Sequence, residues 1–206
     1  MGLWRLITLV GLTGSALAGS ALAGAPALAE PVTVYGTRAG EVAYDADPYG
    51  GNPFASAVVL ALSDQGEDGA FAIEVNTGEL SGGDQIADAR PPGGMTLRVA
   101  PGEDAGGLGG GFAAYGGVTG LPSLPGAAFD AMRVANALRG AGYTVAMAVP
   151  RTAAEYRAAL AEFSGASANY ERALIYTTGH GIEPDGYAFL LPPDVDALAN
   201  PGPGDA

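Results

Sequence analysis

Apolar positions between residues 127 and 178 follow two alternating periods. In "AAFDAMRVANALRG" (127–140), Ala131, Val134, Ala135 and Leu138 fall at i, i+3, i+4 and i+7, one stripe of an amphipathic helix. Gly140 or Gly142 ends it. "YTVAMAV" (143–149) has strand character, and Pro150 closes it. Thr152 and Glu155 then form a T-x-x-E capping box, and Tyr156, Ala159, Leu160 and Phe163 repeat the helical stripe. "RALIYTT" (172–178) is apolar through its middle, as expected of a parallel strand buried on both faces. With a weak strand ahead of the first helix, the order is strand, helix, strand, helix, strand. Such alternation predicts a parallel sheet with right-handed crossovers and helices on its faces.

The preceding chain is less regular. "PVTVYG" (31–36), "FAIEV" (71–75) and "MTLRV" (95–99) read as short strands. "NPFASAVVLAL" (52–62) fits either state. Asn52 followed by Pro53 resembles an N-cap and first helical residue, while Val58 and Val59 suit a strand. "SGGD" and "ARPPGG" are turns or linkers, and "GGLGGG" (106–111) reads as a flexible hinge. The hinge reading wins over a phosphate cradle because neither the G-x-G-x-x-G register nor a following G-K-[ST] is present.

Residues 1–29 have the grammar of an export signal. A single charge at Arg5 precedes an apolar stretch from Leu6, and Ala27-Leu28-Ala29 offers a small-residue cleavage site before Glu30. Beyond Leu12 the segment is too rich in Gly, Ser and Ala to hold a helix in lipid. The expected organisation is therefore a signal peptide over 1–29, a region of short strands and Gly/Pro linkers over 30–105, and the alternating α/β part over 106–206. The expected location is outside the cytoplasm, periplasmic or extracellular, with no membrane attachment after cleavage.

Charge and composition narrow the chemistry. The 206 residues carry a net charge of −13, which disfavours nucleic acid as a partner. There is no cysteine, so no disulfide, and the single histidine leaves no zinc site. No cofactor is expected. Asp45 and Asp47 in "YDADPYGGN" are two apart like part of a calcium loop, but the other ligands are missing and a solvated turn is the simpler reading. No G-x-S-x-G or Ser-x-Lys pattern offers a serine nucleophile.

That leaves His180, in "TTGHGIEPDG", two residues past the last expected strand. Open α/β sheets place chemistry beyond the carboxyl ends of their strands. An imidazole there can exchange protons near neutral pH. The glycines on either side allow close backbone approach, and the Gly181 amide could face a developing oxyanion. An ordinary loop histidine between two turn glycines is the competing reading.

Ordered pieces around it resemble a known family. "AAYGGVTGLPSLPGAAFDAMRVANALRGAGYTV", "RTAAEYRAALAEFSGAS" and "ERALIYTTGHGIEPDGYAFLLPPDVD" are similar, in order and spacing, to the first half of the caspase-like cysteine peptidases, over about 112–196. The resemblance implies an α/β three-layer sandwich with a mostly parallel sheet, incomplete at the C-terminus. It implies a peptide or protein substrate, His180 as catalytic histidine and Gly181 as a substrate-binding, oxyanion-hole amide. Asp130 and Asp194 match acidic positions of the family and are read as structural. The family's nucleophilic cysteine lies some tens of residues beyond its histidine, and this chain has none, so the 206 residues alone should be inactive. Either they are part of a longer cysteine endopeptidase, or they form a pseudo-peptidase that serves as a peptide interaction module. The catalytic reading expects His180 at the strand edge, partly exposed over open space, and expects 143–149 and 172–178 to run parallel.

Overall fold

The computed structural model describes residues 4–13, 31–38, 41, 43–44, 47–64, 68–92, 95–115, 121–182 and 188–194, the first of these as backbone pairing only. Its strands are β1 (Trp4–Thr13), β2 (Val32–Tyr35), β3 (Asp88–Arg90), β4 (Ala105–Gly111), β5 (Thr144–Ala148), β6 (Arg172–Ile182) and β7 (Phe189–Leu190). Its helices are α1 (Pro53–Ser63), α2 (Gly69–Leu80), α3 (Pro125–Gly140) and α4 (Ala153–Ser167). The strands form one mixed sheet in the order β3-β2-β1-β6-β4-β5, with β7 added to β6. β5, β4 and β6 are parallel to one another, as the alternation predicts. β1, β2 and β3 join antiparallel on the other side of β6.

The helices cover both faces, giving the three-layer α/β arrangement expected from the sequence. On one face, Ala131, Val134 and Leu138 of α3 share a core with Phe54 and Val58 of α1, Ile73 of α2, and Leu174 and Tyr176 of β6. On the other, Phe163 of α4 meets Leu108 and Ala173. Strand alternation explains the split, because successive side chains of β6 point to opposite faces. The larger core also takes in Val34, Met95 and Leu97, so the spans 30–105 and 106–206 bury apolar surface against each other.

Three elements differ from expectation. "FAIEV" lies inside α2, where the Asp68 carboxylate caps the helix by accepting from Phe71 N at 3.1 Å. A five-residue apolar run does not distinguish strand from helix, and here the cap decides. "MTLRV" alternates between buried and exposed residues but pairs in no strand. "GGLGGG" is no hinge. It is part of β4, buried throughout between β5 and β6. A Cβ on Gly106 would overlap the Tyr170 ring, and one on Gly109 would press to 3.1 Å from Ala135 Cβ. The glycines let α3 and Tyr170 come down onto the strand, which offsets their poor strand propensity.

"NPFASAVVLAL" resolves as α1. Asn52 Oδ1 accepts from Ala55 N at 2.7 Å, and Pro53 takes the first turn, where a missing N–H costs nothing. α4 starts as its capping box predicts, with Thr152 Oγ1 accepting from Glu155 N at 3.1 Å. The Glu155 carboxylate reaches back to Arg151 N rather than to the cap residue itself. Of the calcium-like pair, Asp45 lies outside the described residues. Asp47 closes a turn by accepting from Tyr49 N and Gly51 N. Ala27, Leu28 and Ala29 likewise lie outside the described residues.

Candidate functional site

His180 sits near the C-terminal end of β6, within the strand rather than two residues past it, because β6 runs on to Ile182. It is 6 % exposed, less open than the sequence reading expects. Among the described residues, Tyr115 and Pro122 meet its ring. The Tyr115 ring meets the imidazole edge-on, with centroids 4.5 Å apart and planes at 70°. The carbonyl of Pro122 lies 2.8 Å from His180 Nε2.

The second contact fixes the state of the ring. A carbonyl oxygen can only accept, so Nε2 carries the hydrogen and donates it. In the neutral imidazole the unprotonated nitrogen is then Nδ1, the atom able to accept a proton. When the ring becomes cationic, the Nε2–H bond to Pro122 persists and favours the charge. A base whose second nitrogen is anchored by an acceptor is the logic of hydrolytic triads, with a backbone carbonyl in place of a carboxylate.

The loop that presents Pro122 is itself fixed. Leu124 N donates to Ala113 O at 2.8 Å, tying the loop to the chain just beyond β4. The Leu124 side chain joins Phe112, Tyr115 and Ala127 in a small cluster beside the site. Pro125 then opens α3 at a position that needs no N–H donor. "LPSLPG" is therefore a short strap between the end of β4 and α3, stiffened at both prolines, with one carbonyl facing the histidine.

Gly181 lies in β6 opposite Trp4 of β1 on one flank and Leu190 of β7 on the other. Gly179 has a direct structural reason: a Cβ there would come within 2.6 Å of the Tyr115 hydroxyl and 2.8 Å of Leu190 Cδ1. The glycine before His180 makes room for tyrosine.

Asp130 is fully buried and accepts from Asn52 Nδ2 at 2.5 Å. Arg133, one turn on, lies 3.7 Å from its other oxygen. It thus joins α3 to α1. Asp194 accepts from Ala153 N at 2.8 Å, at the first residue of α4, where a negative charge complements the helix dipole. Neither carboxylate contacts His180 in any bond described. Tyr115 and Pro122, which do, are not identifiable as site residues from the sequence. Their only signal is their place in "AAYGG" and "LPSLPG", inside the stretch that resembles the family.

Tyr156 links α4 to the same strand. Its hydroxyl bonds Thr177 Oγ1 at 2.6 Å, and its ring stands edge-on to Phe112. Burial pushes its phenol pKa up, and the Thr177 hydrogen bond partly opposes the shift. It is a neutral donor at physiological pH.

Among known families, the model described as the caspase domain, peptidase C14, matches residues 111–197. That span runs from the end of β4 through the Pro122 strap, α3, β5, α4, the His180 strand and β7. No curated protein matches the chain, and no solved structure does.

Proposed function

We propose, from the match of residues 111–197 to the caspase-domain family model, that they form the histidine half of a cysteine endopeptidase. In this reading the nucleophile is a cysteine outside these 206 residues, and His180 is the general base and acid. The thiol proton passes to His180 Nδ1, and the thiolate attacks the peptide carbonyl. The Gly181 amide stabilises the oxyanion. The imidazolium then gives its proton to the leaving amine, leaving a thioester that water hydrolyses. Pro122 holds the ring in one tautomer throughout. The observation that carries the proposal is the 2.8 Å contact of His180 Nε2 with Pro122 O at the carboxyl end of a parallel strand.

One observation favours a second reading, a non-catalytic peptide-binding module: the imidazole is largely covered. A single experiment separates the two. The complete reading frame containing these residues is expressed and incubated with a peptide library, and cleavage is read by mass spectrometry. The peptidase reading expects cleavage that is lost on His180→Ala and on thiol alkylation. The module reading expects retained peptide binding with no cleavage. The 206 residues alone should hydrolyse no amide bond, for want of a thiol.

We further propose that the protein is exported, on the signal-like sequence of residues 1–29. Cleavage after Ala29 would remove β1, so the strand-paired form would be the uncleaved precursor. N-terminal sequencing of the protein recovered outside the cytoplasm tests this: Glu30 is the expected first residue, and Met1 would refute it.

A further inference from the structure

We propose that Tyr115 is the positioning residue for His180, acting through the backbone on either side of the imidazole. Two buried bonds of its hydroxyl bear on the histidine. It donates to Leu191 O at 2.8 Å and accepts from His180 N at 2.8 Å. Leu191 N in turn donates to His180 O at 2.8 Å. The hydroxyl therefore closes a ring of hydrogen bonds that locks the residue bearing the imidazole to the segment that follows β7. The phenol ring is fully buried and meets the imidazole edge-on, which limits how that ring turns about its own bond. One side chain thus fixes both the backbone of His180 and the plane of its ring.

Its own placement is determined from below. Phe112 packs edge-on against Tyr115, and Phe112 N donates to Thr178 O, so the chain leaving β4 follows β6 up to the site. Gly179 leaves the space the hydroxyl occupies. A phenylalanine at 115 would keep the ring and the packing but lose both hydroxyl bonds. The Pro122 contact would then depend on a backbone still held at His180 O by Leu191 N but released at His180 N. Geometry of this kind matters because a displacement of about 1 Å at a reacting group can cost about 100-fold in rate.

The chain contains a single histidine, so its imidazole gives an unambiguous NMR signal without any need for activity. In the 206-residue protein, the Nε2–H proton bonded to Pro122 should be protected and visible. Tyr115→Phe should broaden or remove it and speed exchange of the His180 amide at least 10-fold. Tyr143→Phe is the matched control. It also removes a buried tyrosine hydroxyl bonded to a carbonyl, here Leu97 O at 2.7 Å, away from the site. It should leave the imidazole signal unchanged. The proposal is overturned if Tyr115→Phe keeps the protected Nε2–H, or if the control loses it equally. Should Tyr115→Phe not fold, Gly179→Ala displaces the hydroxyl with the tyrosine intact and must give the same loss.

The assignment of Tyr115 to catalysis rests on the peptidase reading. In the complete reading frame, Tyr115→Phe should lower kcat about 100-fold with KM little changed. If His180→Ala leaves cleavage intact, the peptidase reading fails while the NMR result stands. If His180→Ala abolishes cleavage and Tyr115→Phe does not reduce kcat, the positioning claim fails alone.

Discussion

Tyr143 shows how one buried phenol couples this fold to pH. Its hydroxyl donates to Leu97 O, and burial drives its pKa well above the ordinary value near 10. The Glu103 carboxylate nearby pushes in the same direction, and Arg172 opposes it. A phenol with a raised pKa in the folded state binds its proton more tightly there than in the unfolded chain. Its contribution is therefore complete below pH 10 and is lost as pH rises further. Urea midpoints should stay level from pH 7 to 9.5 and fall above pH 10. Tyr143→Phe should soften that fall, while costing about 1–3 kcal/mol at neutral pH through the stranded carbonyl. Tyr156 shifts in the same direction, so part of the alkaline loss should survive the substitution. At this scale the sequence reveals a histidine but not its setting. The glycines and the surrounding motif mark His180. The partners that orient it lie 65 and 58 residues away along the chain, and no local periodicity connects them. For the same reason the expected open imidazole is a covered one: the covering groups come from the end of β4 and the strap, which the sequence shows only as loop.

Between elements, the joint of α1 and α3 concentrates polar burial. Asn52 caps α1 with its carbonyl oxygen and gives its amide to Asp130 of α3, while Arg133 reaches Ser56 Oγ at 2.8 Å. One side chain thus ends a helix and ties it to another. Asn52→Ala should destabilise the protein by about 2–3 kcal/mol, combining a lost cap with a buried carboxylate deprived of a donor. Adding Asp130→Ala should cost less than the sum of the two single changes, as read from denaturation midpoints. The cap was legible because Asn-Pro has a local meaning, and the joint was not, because it spans 78 residues. Glycine-rich β4 failed for a related reason. Propensity reads Gly106 and Gly109 as mobile, whereas Tyr170 and Ala135 packing against their bare backbone make that strand a floor for both helical layers. Where sequence and structure agree, in α3, β5 and α4, the periodic pattern is long and the caps are local.

For the whole molecule, the decisive segment is β1. It pairs along its full 10 residues with β6, from Trp4 opposite Gly181 to Thr13 opposite Arg172, and it is the strand through which β2 and β3 join the sheet. The parallel half of the sheet follows from alternation along 106–182. The antiparallel half depends on pairing between distant segments, and the same residues read from sequence as a leader. Both descriptions hold only if the pairing belongs to the chain before cleavage. Removing residues 1–29 then leaves β6 with one flank uncovered next to His180, and leaves the β2–β3 pair without a strand neighbour in the sheet, held by the core that α1 and α2 share with α3 and by the bond from Ala89 N to Glu74 Oε1. A protein comprising residues 30–206 should accordingly lose hydrogen-exchange protection at β6 amides facing β1 and at the β2–β3 pair, while α3 and α1 stay protected. Its bare strand edge should also promote association, seen as a mass that rises with concentration in sedimentation. Unchanged protection along Arg172–Gly181 would mean that β1 contributes nothing to holding the site strand, and that α3, β4 and β7 suffice to keep His180 in place.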